Sequence, residues 1–438
     1  MNHFVEIPLP YRLAGIFVAG ILVGYVANLI AFALSERPGR SPWSRRHPYD
    51  GKSRWLDRLP LFGWLRLARK SEQLGRAFWV RPLLAELAMG GLCAGLYWWE
   101  VGLGMLLSGG QVAAGGKYEP SPITWEIMHA LYGAHVLLAF FMLTASLIDI
   151  DERIIPDEVT ITGTLFALML SAGYAWTLMP VDVHINPPGL QFVEFMTLVF
   201  PARSYPDQWP PVLEAPKQTL PLFVALAVYW FWCVSLLPWL WLPRRGLETA
   251  IRMFIGHAVR APNFPSILMI ALCGGVGITM VWNLGGPGWV GLLTSLAGLA
   301  VGAGLIWSVR VIFTAILGKE AMGFGDVTLL AMIGAYLGWQ APIFIFFVAP
   351  CLGLLFVLLY LVFGFAREIA FGPFLCLGTL VVIVAWRWFW GVSMTLFEPL
   401  AGYPIPPILV FLLLCIALGS VLAVPCHLYR SRRASGAA

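Results

Sequence analysis

Apolar side chains run along this chain in long blocks broken by short polar punctuation, with no sustained two-residue alternation and no polar stripe at helical spacing. The first block covers about 11–34. Others fall near 82–107, 125–148, 159–179, 220–242, 264–284 and 289–317. A short run over 327–339 follows, then 343–364, 373–390 and 407–428. An α-helix needs about 20 apolar residues to cross a bilayer, and continuous runs of that length read as membrane helices. The pattern predicts an all-α fold: a polytopic helical bundle of about eleven transmembrane helices. Leu247, Ile251, Phe254, Ile255 and Ala258 share one face of a further short helix, whose Arg252 and Arg260 reach lipid phosphates; it reads as interfacial.

Composition narrows the class. Of 438 residues 59% are hydrophobic and 12% charged, about half the charge of a typical soluble chain, so little is left for a water-soluble domain. The seven cysteines lie in or beside apolar runs without a CxxC pair, which argues for small buried hydrophobes and against a disulfide framework. Residues 35–81 hold 12 of the 28 Lys and Arg and only Glu36, Asp50, Asp57 and Glu72, a local net of +8. Such a loop stays cytoplasmic. It lies between two membrane blocks and lacks a recognition helix, so nucleic acid is not its partner; acidic membrane lipid is. The first block is too long for a signal peptide and is followed by this basic loop, so it is retained. Threading from an outside N-terminus puts 149–157, 244–260, 318–326, the basic tail 430–433 and the C-terminus in the cytoplasm.

Charged groups at membrane helix ends are expensive and therefore candidates for function. Asp149 ends one long helix, and Ile155-Pro156-Asp157 opens the next. Gly323-Phe324-Gly325-Asp326 precedes the short run that begins at Val327. The topology brings Asp149 and Asp326 to one depth although they stand 177 positions apart. Asp157 and Asp326 can be read as helix N-caps, but an acid at a helix C-terminus opposes the dipole, so capping does not account for Asp149. Asp151 and Glu152 are expected in solvent, and His129 and His135 in packing. Two carboxylates in a partly desolvated site do not both ionise easily. One activates water and the other protonates a peptide carbonyl, which hydrolyses a peptide without metal or covalent intermediate. HExxH and GxSxG motifs are absent from the chain.

Five ordered segments carry a resemblance. Gly24-Tyr25-Val26-Ala27-Asn28, Arg81-Pro82-Leu83-Leu84-Ala85-Glu86-Leu87, Asp149-Ile150-Asp151 with Ile155-Pro156-Asp157, Gly323-Phe324-Gly325-Asp326, and Phe371-Gly372-Pro373 resemble the type IV prepilin peptidases, bacterial members of the GxGD aspartyl membrane proteases. The resemblance implies an aspartic endopeptidase of the bacterial cytoplasmic (inner) membrane with Asp149 and Asp326 as its pair. Gly323, Gly325, Pro156, Asp157, Asn28 and Glu86 support the site. Its partner would be a prepilin or pseudopilin precursor, cut between a short basic cytoplasmic leader and one hydrophobic helix. Asn28 also reads as interhelical hydrogen-bond glue, and Glu86 as a carboxylate paired with Arg81.

There are departures. Many members carry paired CxxC motifs in the first cytoplasmic loop; residues 35–81 contain no cysteine, so zinc is not expected. Many also N-methylate the new terminus with S-adenosylmethionine, for which no segment here supplies a recognisable site. Thr328 stands where members carry a basic residue, and an insertion separates the aspartates. The expected organisation is 1–179 with the basic loop and first aspartate, 180–287 as the insertion, 288–392 with GxGD, and 393–438 as an extra helix and tail. Two other classes compete: a proton- or cation-coupled transporter, which the absence of an internal repeat disfavours, and a non-catalytic scaffold of the same fold.

Overall fold

Gly298 and Gly334 bring two helices into backbone contact: a Cβ on either would run into the carbonyl oxygen of the other. Only hydrogen fits there, which lets two helix backbones touch. The computed structural model describes residues 7–35, 59–68, 78–106, 112–113, 117–118, 122–185, 196–201, 218–237, 247–317, 322–363 and 370–397.

The described helices are α1 (Leu9–Leu34), α2 (Phe62–Leu67), α3 (Val80–Tyr97, continuing as a π turn Trp98–Gly102), α4 (Pro122–Glu152) and α5 (Asp157–Gly173). After them come α6 (Thr219–Ser235), α7 (Leu247–Val259), α8 (Phe264–Leu284) and α9 (Gly286–Leu317). The chain continues with α10 (Phe324–Leu337), α11 (Gln340–Phe363), α12 (Gly372–Val384) and α13 (Trp386–Phe397). Five are long and apolar enough to cross a membrane, or six if α12 and α13 count as one bent span. The chain is thus a helical membrane bundle. The block 407–428 and the basic tail lie outside the described residues, as does most of the loop 35–81.

α10 forms the centre, with every side chain from Val327 to Leu337 buried. At 14 residues it rises about 21 Å, less than the hydrocarbon thickness, and so is surrounded by protein along its length. α9 and α5 cover it on two sides. α1 packs on α3 and α4, α4 on α12, and α12 on α11, while α6 and α8 pair beside α9.

Several expectations change. The fold class is helical as expected, with two short hairpins between helices: β1 (Val112–Ala113) pairs with β2 (Lys117–Tyr118), and β3 (Pro180–Ile185) pairs antiparallel with β4 (Met196–Pro201), Pro180 opposite Pro201 and Ile185 opposite Met196. Trp386 Nε1 donates to Pro180 O at 2.7 Å and ties this second hairpin to the bundle. The block 373–390 is two helices, α12 and α13, meeting at 80°. Cys93, Cys233 and Cys376 are buried as expected, but Cys273 and Cys351 are exposed on outer helix faces; Cys415 and Cys426 lie outside the described residues. The expected interfacial helix is α7. Its Ala258 faces protein, while Ile255 and Val259 point outward.

Candidate functional site

α4 is apolar until its last turn, where Asp149, Asp151 and Glu152 stand together; the helix runs three residues beyond Asp149. Asp149 is 6% exposed. Its Oδ2 accepts the Gly372 backbone N–H at 3.1 Å, from the first turn of α12. A helix N-terminus offers unpaired N–H groups and a favourable dipole to an anion, which suits this contact. A Cβ at position 372 would lie 2.5 Å from that oxygen, so glycine is required for the approach.

Arg153, with φ 58°, turns the chain out of α4, and Pro156 caps α5. Pro156 therefore takes the N-cap place that the sequence offered to Asp157, which instead opens the helix. α10 has Gly323 at its N-cap, and Asp326 falls in its first turn rather than at the cap. Ile155 is buried against Gly325, where an added Cβ would meet Ile155 Cβ at 2.8 Å. The glycine thus lets the α4–α5 turn lie on the start of α10. Thr328 bonds locally, Oγ1 to Gly325 O at 3.0 Å.

These three elements enclose a cavity of about 440 Å³ that both Asp149 and Asp326 line. Pro156, Asp157, Gly323 and Gly325 border it too, together with Glu152, Glu158 and Arg153. Five carboxylates against one guanidinium make the cavity strongly negative. Asp151 and Glu152 are not simply solvated. Arg81 pairs with Asp151 and donates to Leu147 O at 2.6 Å, and Ser35 Oγ donates to Glu152 Oε1 at 2.5 Å. The end of α4 is held from both neighbouring helices.

Asn28 and Glu86 do not reach this cavity. Glu86 is fully buried and accepts Trp64 Nε1 at 2.6 Å, the Leu61 N–H at 2.7 Å and Asn28 Nδ2 at 3.2 Å; Asn28 also donates to Pro82 O at 3.0 Å. The expected Arg81–Glu86 pair is thereby corrected: Arg81 serves α4, and Glu86 fastens α2, the described part of the basic loop, to the bundle. His129 and His135 pack as expected. His135 meets Glu100 at 2.8 Å in a buried pair, and His129 meets Trp125 O at 2.8 Å and Tyr97 OH at 3.2 Å.

Among the described residues no group of three or more His, Cys, Asp or Glu side chains is placed to hold a metal ion. The sequence reading did not single out Gly372, Glu158 or Arg81 as contributors to the cavity or its frame. The Phe371-Gly372-Pro373 turn was the available signal for the first.

Residues 261–358, which include Asp326, match the Type IV leader peptidase family. The chain is 34% identical over 119 residues to a prepilin leader peptidase/N-methyltransferase of Aeromonas salmonicida (strain A449), covering 26% of this chain and 39% of that relative. It is 30% identical over 185 residues to the prepilin leader peptidase/N-methyltransferase of Klebsiella pneumoniae, covering 37% of this chain and 79% of the relative. A third relative of the same name, from Pectobacterium carotovorum subsp. carotovorum, is 38% identical over 104 residues, 23% and 36% of the two chains. No solved structure matches the chain.

Proposed function

The chain belongs to the type IV leader peptidase family, and from that membership we propose that it is an aspartic endopeptidase of the bacterial cytoplasmic membrane, using Asp149 and Asp326 to cut the leader from a prepilin-like precursor. The observation that carries the proposal is the shared cavity: two carboxylates from helices 177 positions apart line one volume of about 440 Å³. That is room for a peptide bond and a water.

In the proposed reaction the two carboxyl groups hold one proton between them. The ionised group takes a proton from water as its oxygen attacks the scissile carbonyl carbon, and the other donates to the carbonyl oxygen. Collapse of the tetrahedral intermediate breaks the C–N bond, with the first group giving its proton to the departing amine and the second taking back its proton from the hydroxyl that becomes the new carbonyl. Gly372 would orient Asp149, and Gly325 would let the Ile155 turn close the cavity. Asn28 and Glu86 would act at a distance by anchoring the cytoplasmic loop. We place the cavity at the cytoplasmic face, with the N-terminus outside and about eleven spans in all, because the basic residues of 35–81 favour that side.

The relatives' names include an N-methyltransferase, an activity that implies S-adenosylmethionine. The cavity fits that group poorly. Its described lining has one aromatic ring, Phe324, and neither amide nor hydroxyl side chain to hold an adenosine.

The test is cleavage of a co-expressed prepilin-like substrate in membranes by the parent, Asp149→Asn and Asp326→Asn at matched levels. Each variant keeps shape and removes a titrating acid. Loss of about 10²–10⁴-fold in both is expected; cleavage surviving either change would overturn the mechanism.

A further inference from the structure

A second cavity, of about 1570 Å³, adjoins the first. Its walls are α6, the Ala261–Asn263 approach to α8, and one face of α9, and it is bordered by Asp157 at the start of α5 and by Phe324 and Val327 in the first turn of α10. Asp157 and Phe324 line both cavities, so the apolar groove and the negative one meet there. We propose that this groove seats the apolar helix of the substrate and presents the segment on that helix's N-terminal side to Asp149 and Asp326; the proposal rests on the peptidase reading above.

The dimensions fit a helix. Lining residues on α9 run from Leu299 to Thr314, about 22 Å of rise, or roughly three quarters of the hydrocarbon core. A helix about 10 Å across occupies roughly 120 Å³ per residue, so the volume matches about a dozen residues. The wall suits close packing as well. On α9 the side toward α10 is tight, since a Cβ at Gly302 would strike Leu330 O, whereas a Cβ at Gly304 would meet nothing within 4 Å. Ala300, Ala303 and Gly304 thus offer a shallow surface flanked by Phe231 and Trp307, which are 67% and 52% exposed. Small residues let a second helix come near, and the aromatics grip its sides.

Charge selects the occupant. The groove carries one cation of its own, Arg310, whose guanidinium lies 5.6 Å from the Phe324 ring centroid, and it shares Asp157 and Phe324 with a cavity of five carboxylates and one arginine, so acid outnumbers base at that end. An anionic phospholipid headgroup would be repelled from that end, while a peptide helix with basic residues on its N-terminal flank is drawn to it. α6 falls within 180–287 and ahead of the family match at 261–358, so part of the substrate choice would reside in a wall outside the matched segment.

The experiment uses the full chain in membranes with a co-expressed prepilin-like substrate. A photo-crosslinking amino acid is placed at Ala303 or Phe231 in the groove, or at Leu355, an exposed position on α11, in an Asp326→Asn background that leaves the substrate uncut. The groove sites should crosslink to the substrate helix and Leu355 should not. In the otherwise intact protein, Gly304→Trp should raise KM at least tenfold with thermal stability unchanged. If the parent cleaves but Gly304→Trp is neutral, or the groove sites crosslink only to lipid or to the chain's own 407–428 run, the groove proposal is wrong and the peptidase reading stands. If the parent does not cleave, both fall.

Discussion

Replacing Gly372 by alanine is a one-carbon test of how the first aspartate is held. The added Cβ would sit 2.5 Å from Asp149 Oδ2, 3.1 Å from Ile155 Cδ1 and 3.3 Å from Asp149 Cγ. Ordinary contact begins near 3.4 Å, so the carboxylate or the 371–373 turn must retreat by about 0.9 Å. That breaks the 3.1 Å bond from the Gly372 N–H. Displacing a catalytic group by 1 Å costs about 10²-fold in rate. A hydrogen bond to a charged group contributes about 1.5–3 kcal/mol, which corresponds to about 10–150-fold. The two routes agree on a fall in kcat near 10²-fold, with little change in KM because the groove is untouched. The assay is initial-rate cleavage of a prepilin-like substrate in proteoliposomes, with thermal unfolding in detergent to confirm folding. Gly391→Ala, where a Cβ meets nothing within 4 Å, is the control and should match the parent. A folded Gly372→Ala protein that cleaves within threefold of the parent would refute the claim that this contact positions Asp149.

Other changes should read out different parts of the frame. Arg81→Gln removes the pair with Asp151 and the bond to Leu147 O, and should lower kcat about tenfold through looser placement of the α4 end, measured in the same assay. Glu86→Ala removes the acceptor of Trp64 Nε1 and the Leu61 N–H and leaves Asn28 Nδ2 with Pro82 O alone; at about 1–3 kcal/mol for each of the first two, the loss should exceed about 2 kcal/mol, seen as a lower Tm and faster proteolysis near Trp64. Gly334→Leu drives a side chain into the Gly298 carbonyl and should abolish accumulation of folded protein, checked by detergent size-exclusion chromatography.

The helices and the meeting of the two aspartates at one cavity were legible because membrane-crossing runs are long, and because acids at their ends are rare enough to stand out. Partners were less so. Arg81 and Glu86 look like a pair in a line of text, yet five residues apart they point to different sides of α3, and helical spacing could have separated them. The β3–β4 hairpin had a signal in the alternation Val181-Asp182-Val183-His184-Ile185, hidden within a Pro-rich stretch. The bend between α12 and α13 has no proline or glycine at Ala385-Trp386 to announce it. Gly372 meets Asp149 across 223 positions, and a glycine needed for close approach reads in sequence like any turn glycine.

The backbone contact between Gly298 and Gly334 has a mechanical consequence. It fuses α9 and α10 into one slab, onto which α5 is also pressed, so Asp326 rides with that slab. Asp149 belongs to the other body, formed by α1, α3, α4 and α12 and locked by Arg81, Ser35 and Gly372. The seam between them passes through the acidic cavity, and the left-handed turn at Arg153 bridges it. The relative placement of the two carboxyl groups is therefore set by how this slab packs against α4 and α12, with the four residues 153–156 as the covalent link between them.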